Sequence, residues 1–99
     1  MAVLRIDRFV INPRDAAELI NRRNALVAAV RDAAVPGLLE SRLVKVDESH
    51  WIDMWRWDTR ANAQAAASRA QAGEFPQAAA AFELARDVVT EFTEIVDER

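Results

Sequence analysis

His50-Trp51-Ile52-Asp53-Met54-Trp55-Arg56-Trp57-Asp58 carries all three tryptophans of a 99-residue chain within seven positions, at alternating spacing. In an extended strand Trp51, Asp53, Trp55 and Trp57 project from one face and Ile52 and Met54 from the other, because side chains alternate with period two. One face is then an aromatic wall with a carboxylate set into it. Such a wall either fills a core or floors a pocket for a flat apolar ligand, and the sequence leaves both readings open.

Outward from this stretch, Asp47-Glu48-Ser49 is a polar turn and Leu38 to Val46 alternates again, so the two runs predict a hairpin. Val3 to Ile11 also alternates, with Leu4, Ile6 and Val10 on one face and Val3, Arg5, Asp7, Phe9 and Ile11 on the other. Asn12-Pro13-Arg14-Asp15 predicts a helix start, with Asn12 as N-cap and Pro13 at the first helical position. Ala16, Leu19, Ile20, Arg23, Leu26, Val27, Val30 and Ala34 follow at helical spacing up to Val35-Pro36-Gly37. Arg23 interrupts this stripe, and its stem is expected to lie along the edge. Thr59 or Asp58 caps a second helix through Ala61, Ala65, Ala66 and Arg69, which stops near Gly73. Phe75-Pro76 starts another alanine-rich helix to about Arg86. The β-branched content of Val88 to Val96 favours a closing strand over a helix.

Strand, helix, strand, strand, broken helix, strand is the order of a ferredoxin-like split βαβ domain of the α+β class, with an antiparallel sheet. Helices then cover one face only. The face with Leu4, Ile6, Val10, Ile52 and Met54 is left bare, which predicts a homodimer joined through it.

Composition narrows the class. Residues 1–99 fit a single domain, with 52% hydrophobic residues. Thirteen basic and 16 acidic residues are scattered to a net charge of -3, so no basic block exists for nucleic acid. Charges interrupt each apolar stretch near the N-terminus, so neither a signal peptide nor a membrane span is expected. The chain has no cysteine, which excludes disulfides and suits a cytoplasmic location. A lone histidine without cysteine cannot build the usual zinc site, Gly37 and Gly73 cannot form a phosphate loop, and no serine has a usable histidine partner. No metal ligand set is predicted.

In these elements the chain resembles the antibiotic biosynthesis monooxygenase (ABM) family of dimeric α+β barrels, which also includes heme-degrading monooxygenases. The resemblance rests on the strand Val3-Leu4-Arg5-Ile6-Asp7, the long helix closed by Pro36-Gly37, the strand Leu38-Leu39-Glu40-Ser41 and the segment from Trp51 to Ala61. Trp57 matches the tryptophan that precedes the second helix in many members. The resemblance implies a single ABM-like domain that pairs as a dimeric α+β barrel. Heme-degrading members carry an asparagine on the first strand and an iron-ligating histidine about nine positions beyond the tryptophan. Asp7 and Ala66 stand there in this chain, which departs from that pattern, and no cofactor is expected.

The resemblance also implies a cofactor-independent monooxygenase, in which a phenol or hydroquinone loses its proton in an apolar pocket and its anion reduces oxygen directly. That chemistry needs a flat site, a base and a donor beside the anion. Trp51, Trp55, Trp57 and Phe9 supply stacking surface for a small planar aromatic or polyketide-type molecule. Asp7 and Asp53, shielded from water, would have raised pKa values and could act as base or proton shuttle. Arg5 could steady an oxyanion. Because first and third strands are neighbours in this fold, Asp7 and the tryptophan face are expected to share one cavity. Against this stands a non-catalytic homodimer that binds a ligand or assists another protein, with the tryptophans as core, Asp7 and Arg5 in salt bridges at a strand edge, and His50 a solvated turn residue. Arg56 is expected to pair across the dimer with Glu40 or Glu94.

Overall fold

The tryptophan segment forms an inner strand of a four-stranded antiparallel sheet. In the computed structural model, which describes residues 1–99, the elements are β1 (Val3–Val10), α1 (Ala16–Asp32), β2 (Leu38–Lys45), β3 (His50–Trp57), α2 (Arg60–Gln71), α3 (Pro76–Phe82) and β4 (Arg86–Glu94). The sheet order β2-β3-β1-β4 puts the two alternating strands side by side at its centre. Their register pairs Arg5 with Trp55, Asp7 with Asp53 and Phe9 with Trp51. The polar residues of β1 thus stand directly across from the tryptophan strand, as the ferredoxin-like order predicts. The domain is α+β, with the closing segment a strand.

Burial follows the alternation. Trp51, Asp53, Trp55 and Trp57 are buried, as are Val3, Asp7 and Phe9. Two apolar clusters share this inner face: Trp55, Trp57 and Val3 pack with Leu26 and Val30 of α1, Ala63 of α2 and Phe75, while Trp51 and Phe9 pack with Ile11 and Leu19. On the opposite face Leu4, Ile6, Val10, Ile52 and Met54 join neither cluster. No helix is long and apolar enough to cross a membrane.

Local rules set the element ends, with some corrections. Asn12 does cap a helical turn, its Oδ1 accepting from the Arg14 N–H at 3.1 Å, but the turn Pro13–Asp15 is 3-10 and α1 begins at Ala16. Thr59 caps α2 by accepting from the Asn62 N–H at 3.1 Å. The inward residues of α2 are Ala63, Ala66, Ala67 and Ala70, whereas Ala61 and Ala65 are exposed. The following helix ends at Phe82, short of the expected Arg86, because Arg86 already pairs with Val10 in the sheet. Gly37 is fixed by geometry: its φ is +90°, its carbonyl accepts from the Asp58 N–H at 2.9 Å, and a Cβ there would lie 2.2 Å from Asp58 Oδ1.

Arg56 meets Glu40, one of the two acids expected for it, within the chain at 3.6 Å because the two are register partners on β3 and β2; its other partner is Glu98 at 2.5 Å, where the residues after β4 return beside the sheet and the Ile95 N–H donates to the Ala2 carbonyl.

Candidate active site

A cavity of about 460 Å³ lies between the inner face of the sheet and α2 and α3. That volume falls in the range of small-molecule sites. Small side chains create it. Ala63, Ala66, Ala67 and Ala70 of α2 and Ala78 and Ala79 of α3 line one side, so the helices stand over the tryptophans without filling the space between. Trp55 and Trp57 form the opposite wall, stacked with ring centres 6.5 Å apart and planes inclined by 13°.

Most of the lining is hydrocarbon, and its charged groups stand together on β1. Asp7 is 2% exposed; its Oδ1 accepts from the Thr90 hydroxyl at 2.5 Å and its Oδ2 lies 3.4 Å from Arg5 Nε. At that separation the charges pair, yet the Arg5 Nε–H is not aimed to make a hydrogen bond and has no acceptor. Arg5 also packs over the Phe92 ring at 5.8 Å. The indole N–H of Trp57 is likewise buried without a partner. Trp57 stands opposite Val3, two positions along β1 from Arg5, so the two unpartnered donors belong to diagonal neighbours on one sheet face.

The structure thus brings Arg5, Asp7, Trp55 and Trp57 to one cavity, while three other predicted site residues stand outside its lining. Trp51 packs into the second apolar cluster, and its indole N–H donates to the Glu48 carbonyl at 3.3 Å. Phe9 meets Phe82 edge to face at 6.2 Å and so backs a residue of the lining from behind. Asp53, 4% exposed, is engaged by Arg23, whose Nε donates to its Oδ1 at 3.0 Å. Burial pushes the Asp53 carboxyl above the usual carboxylate range, Asp7 beside it pushes the same way, and Arg23 and the Trp55 N–H oppose them.

Arg23 corrects the expectation of an edge residue: it is buried, because Asp53 and the Ser41 hydroxyl give its fork partners inside the fold. The pairing of Asp7 with Arg5 corrects another, since β1 is an inner strand and not an edge. Thr90 and Phe92, which complete the polar end from β4, escaped the sequence reading. They share one face of that strand by simple alternation, opposite Asp7 and Arg5. His50 sits in the hairpin, where its Nδ1 meets Asp47 at 2.9 Å. The cavity lining contains no histidine, and Ala66 occupies the helix position discussed for an iron ligand, so the residues present do not fit a heme iron.

No family model and no curated protein matches the chain. Solved structures match its fold. SnoaB, a cofactor-independent oxygenase from Streptomyces nogalater, aligns over 98% of this chain and 95% of its own, with a TM-score of 0.77 and 20% identity. A candidate antibiotic biosynthesis monooxygenase from Caulobacter crescentus aligns over 97% and 91%, with a TM-score of 0.75 and 20% identity. A dimeric ferredoxin-like protein from an uncultured marine organism aligns over 99% and 90%, with a TM-score of 0.77 and 12% identity. The chain therefore has the ferredoxin-like α+β fold of the antibiotic biosynthesis monooxygenases.

Proposed function

We propose that this protein is a cofactor-independent monooxygenase that binds a planar aromatic or polyketide-type molecule against Trp55 and Trp57 and acts as a homodimer. The observation that carries this reading is the polar end of the cavity, where the Asp7 carboxylate lies beside Arg5 and two buried N–H donors, on Arg5 and on its diagonal neighbour Trp57, have no acceptor. Buried donors are rarely left unpaired, and acceptor oxygens of an anionic ligand in the cavity would satisfy them. In this mechanism Asp7 takes the proton of the bound phenol, and Arg5 and the Trp57 N–H hold the resulting anion. Electron transfer to oxygen and carbon–oxygen bond formation give a hydroperoxide, which loses water. The balance is CH2 + O2 → C=O + H2O, with the substrate supplying all the electrons. Asp53 supports the wall from outside the lining. The half-buried Leu4, Ile6, Val10, Ile52 and Met54, which join neither core cluster and share the sheet face away from the helices, and the dimeric protein of the same fold support pairing through that face.

The test is oxygen uptake with 1,8-dihydroxyanthrone, a planar phenol with an oxidisable CH2 group, alongside native mass spectrometry. The expected result is a dimer that consumes one O2 per substrate. Asp7→Asn should be slower by about a hundredfold, as loss of a general base requires, with its thermal midpoint close to wild type. A second reading is favoured by one observation: Asp7 is already engaged by Thr90 and Arg5, as a structural carboxylate would be. Under that reading the protein is a non-catalytic homodimer that binds the same class of ligand, and wild type and Asp7→Asn leave the oxygen rate equally unchanged. A monomer would overturn the pairing.

A further inference from the structure

Arg23 is the one buried arginine of the chain, and the proposed chemistry does not use it. Its Nε and Nη2 each lie 3.0 Å from Asp53 Oδ1, its Nη2 donates to the Ser41 hydroxyl, and its guanidinium stands 5.6 Å from the Trp55 ring centre. Ser41 is the β2 partner of Trp55 in the sheet register, and Asp53 is two positions from Trp55 on the same face of β3. One side chain from α1 therefore meets β2, β3 and the indole that joins them. Trp55 in turn stacks on Trp57, and both wall the cavity.

Stability alone does not explain this arrangement. The attraction within a buried ion pair is largely offset by the desolvation of both charges, and an apolar pair of similar volume often serves as well. An apolar pair cannot supply direction. The guanidinium is a planar fork with fixed donors, which can hold a carboxylate and a hydroxyl in its plane while its charge attracts the face of an indole. We propose that Arg23 is a positioning residue for the cavity, fixing the Trp55 indole against Ser41 and Asp53 and, through the stack, setting the angle of Trp57 toward a flat ligand. This inference rests on the reading of the cavity as a ligand site.

The test compares wild type with Arg23→Met/Asp53→Asn, which removes both charges together and strands neither, and with Arg23→Lys, which keeps the charge but not the fork. Indole near-ultraviolet circular dichroism reports the tryptophan geometry, and titration with 1,8-dihydroxyanthraquinone reports the cavity. We expect the double variant to melt cooperatively, to lose much of the indole signal and to bind the probe about threefold to tenfold more weakly, the span of one cation–π contact. Arg23→Lys should show the same two losses, since a point charge cannot reach three partners at once. Wild-type indole spectra and probe affinity in a folded double variant would overturn the proposal. If that variant fails to fold, unchanged spectra and affinity in Arg23→Lys overturn it instead. A wild type that does not bind the probe removes the ligand reading, and the indole spectra still decide the role of Arg23.

Discussion

Ala70→Leu separates a ligand cavity from an ordinary packing gap. Ala70 lines the cavity from α2 and packs at the margin of the cluster that contains Trp55 and Trp57. Leucine adds three carbons. At about 0.8 kcal/mol per buried carbon the upper limit of the gain is about 2.4 kcal/mol. Ordering the leucine costs about 0.5–1 kcal/mol, and the cavity mouth, marked by exposed Gln71 and Ala79, keeps part of the side chain wet. A net gain of about 1 kcal/mol remains, which in a domain of this size raises the thermal midpoint by about 4–8 °C. The same carbons occupy space that a bound ring needs, so affinity for a planar probe should fall at least about tenfold, or 1.4 kcal/mol. Differential scanning fluorimetry and a fluorescence titration on one preparation measure both. A higher melting temperature with unchanged affinity would show that the ligand binds elsewhere. A lower one would show that the walls have no room, as overpacking of a filled core produces.

Two further outcomes follow from local geometry. Gly37→Ala forces a Cβ onto a backbone at φ +90°, 2.2 Å from Asp58 Oδ1, and should cost about 2 kcal/mol or more; urea unfolding with a lower midpoint and an unchanged slope measures it. Asp47, in the β2–β3 turn, is pulled down to about 2, first by its hydrogen bond with His50 and then by the Ser49 and His50 backbone N–H groups. A carboxyl lowered on folding stabilises the fold above its unfolded value of 3.8, and that contribution disappears as the pH falls through 2. His50→Ala should raise the Asp47 pKa toward 3.8 in an NMR titration and weaken the protein's resistance to acid between those limits, while an unchanged titration would assign the shift to the backbone donors alone.

The strands were legible because their two faces differ chemically. In β3 three of the four inward side chains are tryptophan, and in β1 Leu4, Ile6 and Val10 alternate with Arg5, Asp7 and Phe9, so period two appears directly in the sequence and each strand's side chains sort onto two faces. The phase of α2 was not legible for the opposite reason. Alanine occupies positions 61, 63, 65, 66, 67 and 70, which spreads the same small apolar group around the helix and leaves no contrast to orient it. Two arginine partners were hidden by distance along the chain: Asp53 lies 30 residues from Arg23, and Glu98 lies 42 from Arg56. Pairings of that separation are created by topology. For the candidate site, β1 and β3 were readable as neighbours, but the division of their inner face was not. The helices leave space over Trp55 and Trp57 and close over Trp51, and the side chains responsible lie in the uniform alanine stretch and in α1.

Asp7 and Asp53, the same residue type directly paired across two strands, stand in two different surroundings. Both are nearly inaccessible and each has an arginine. Arg23 is itself buried and directs its Nε and Nη2 to Asp53 and Ser41, and neither Arg23 nor Asp53 lines the cavity. Arg5 is 30% exposed in its side chain and leaves its Nε–H without an acceptor, so its pair with Asp7 stays open toward the space under the alanine helices. A pair outside the lining meets no ligand and acts on the cavity only through the neighbours it holds. An open pair retains one unsatisfied donor beside a carboxylate, and an acceptor from outside lowers its energy. The proposed chemistry therefore falls to Asp7, beside the unpartnered Arg5 Nε–H in the cavity lining, and the proposed positioning to the Asp53–Arg23 pair outside it.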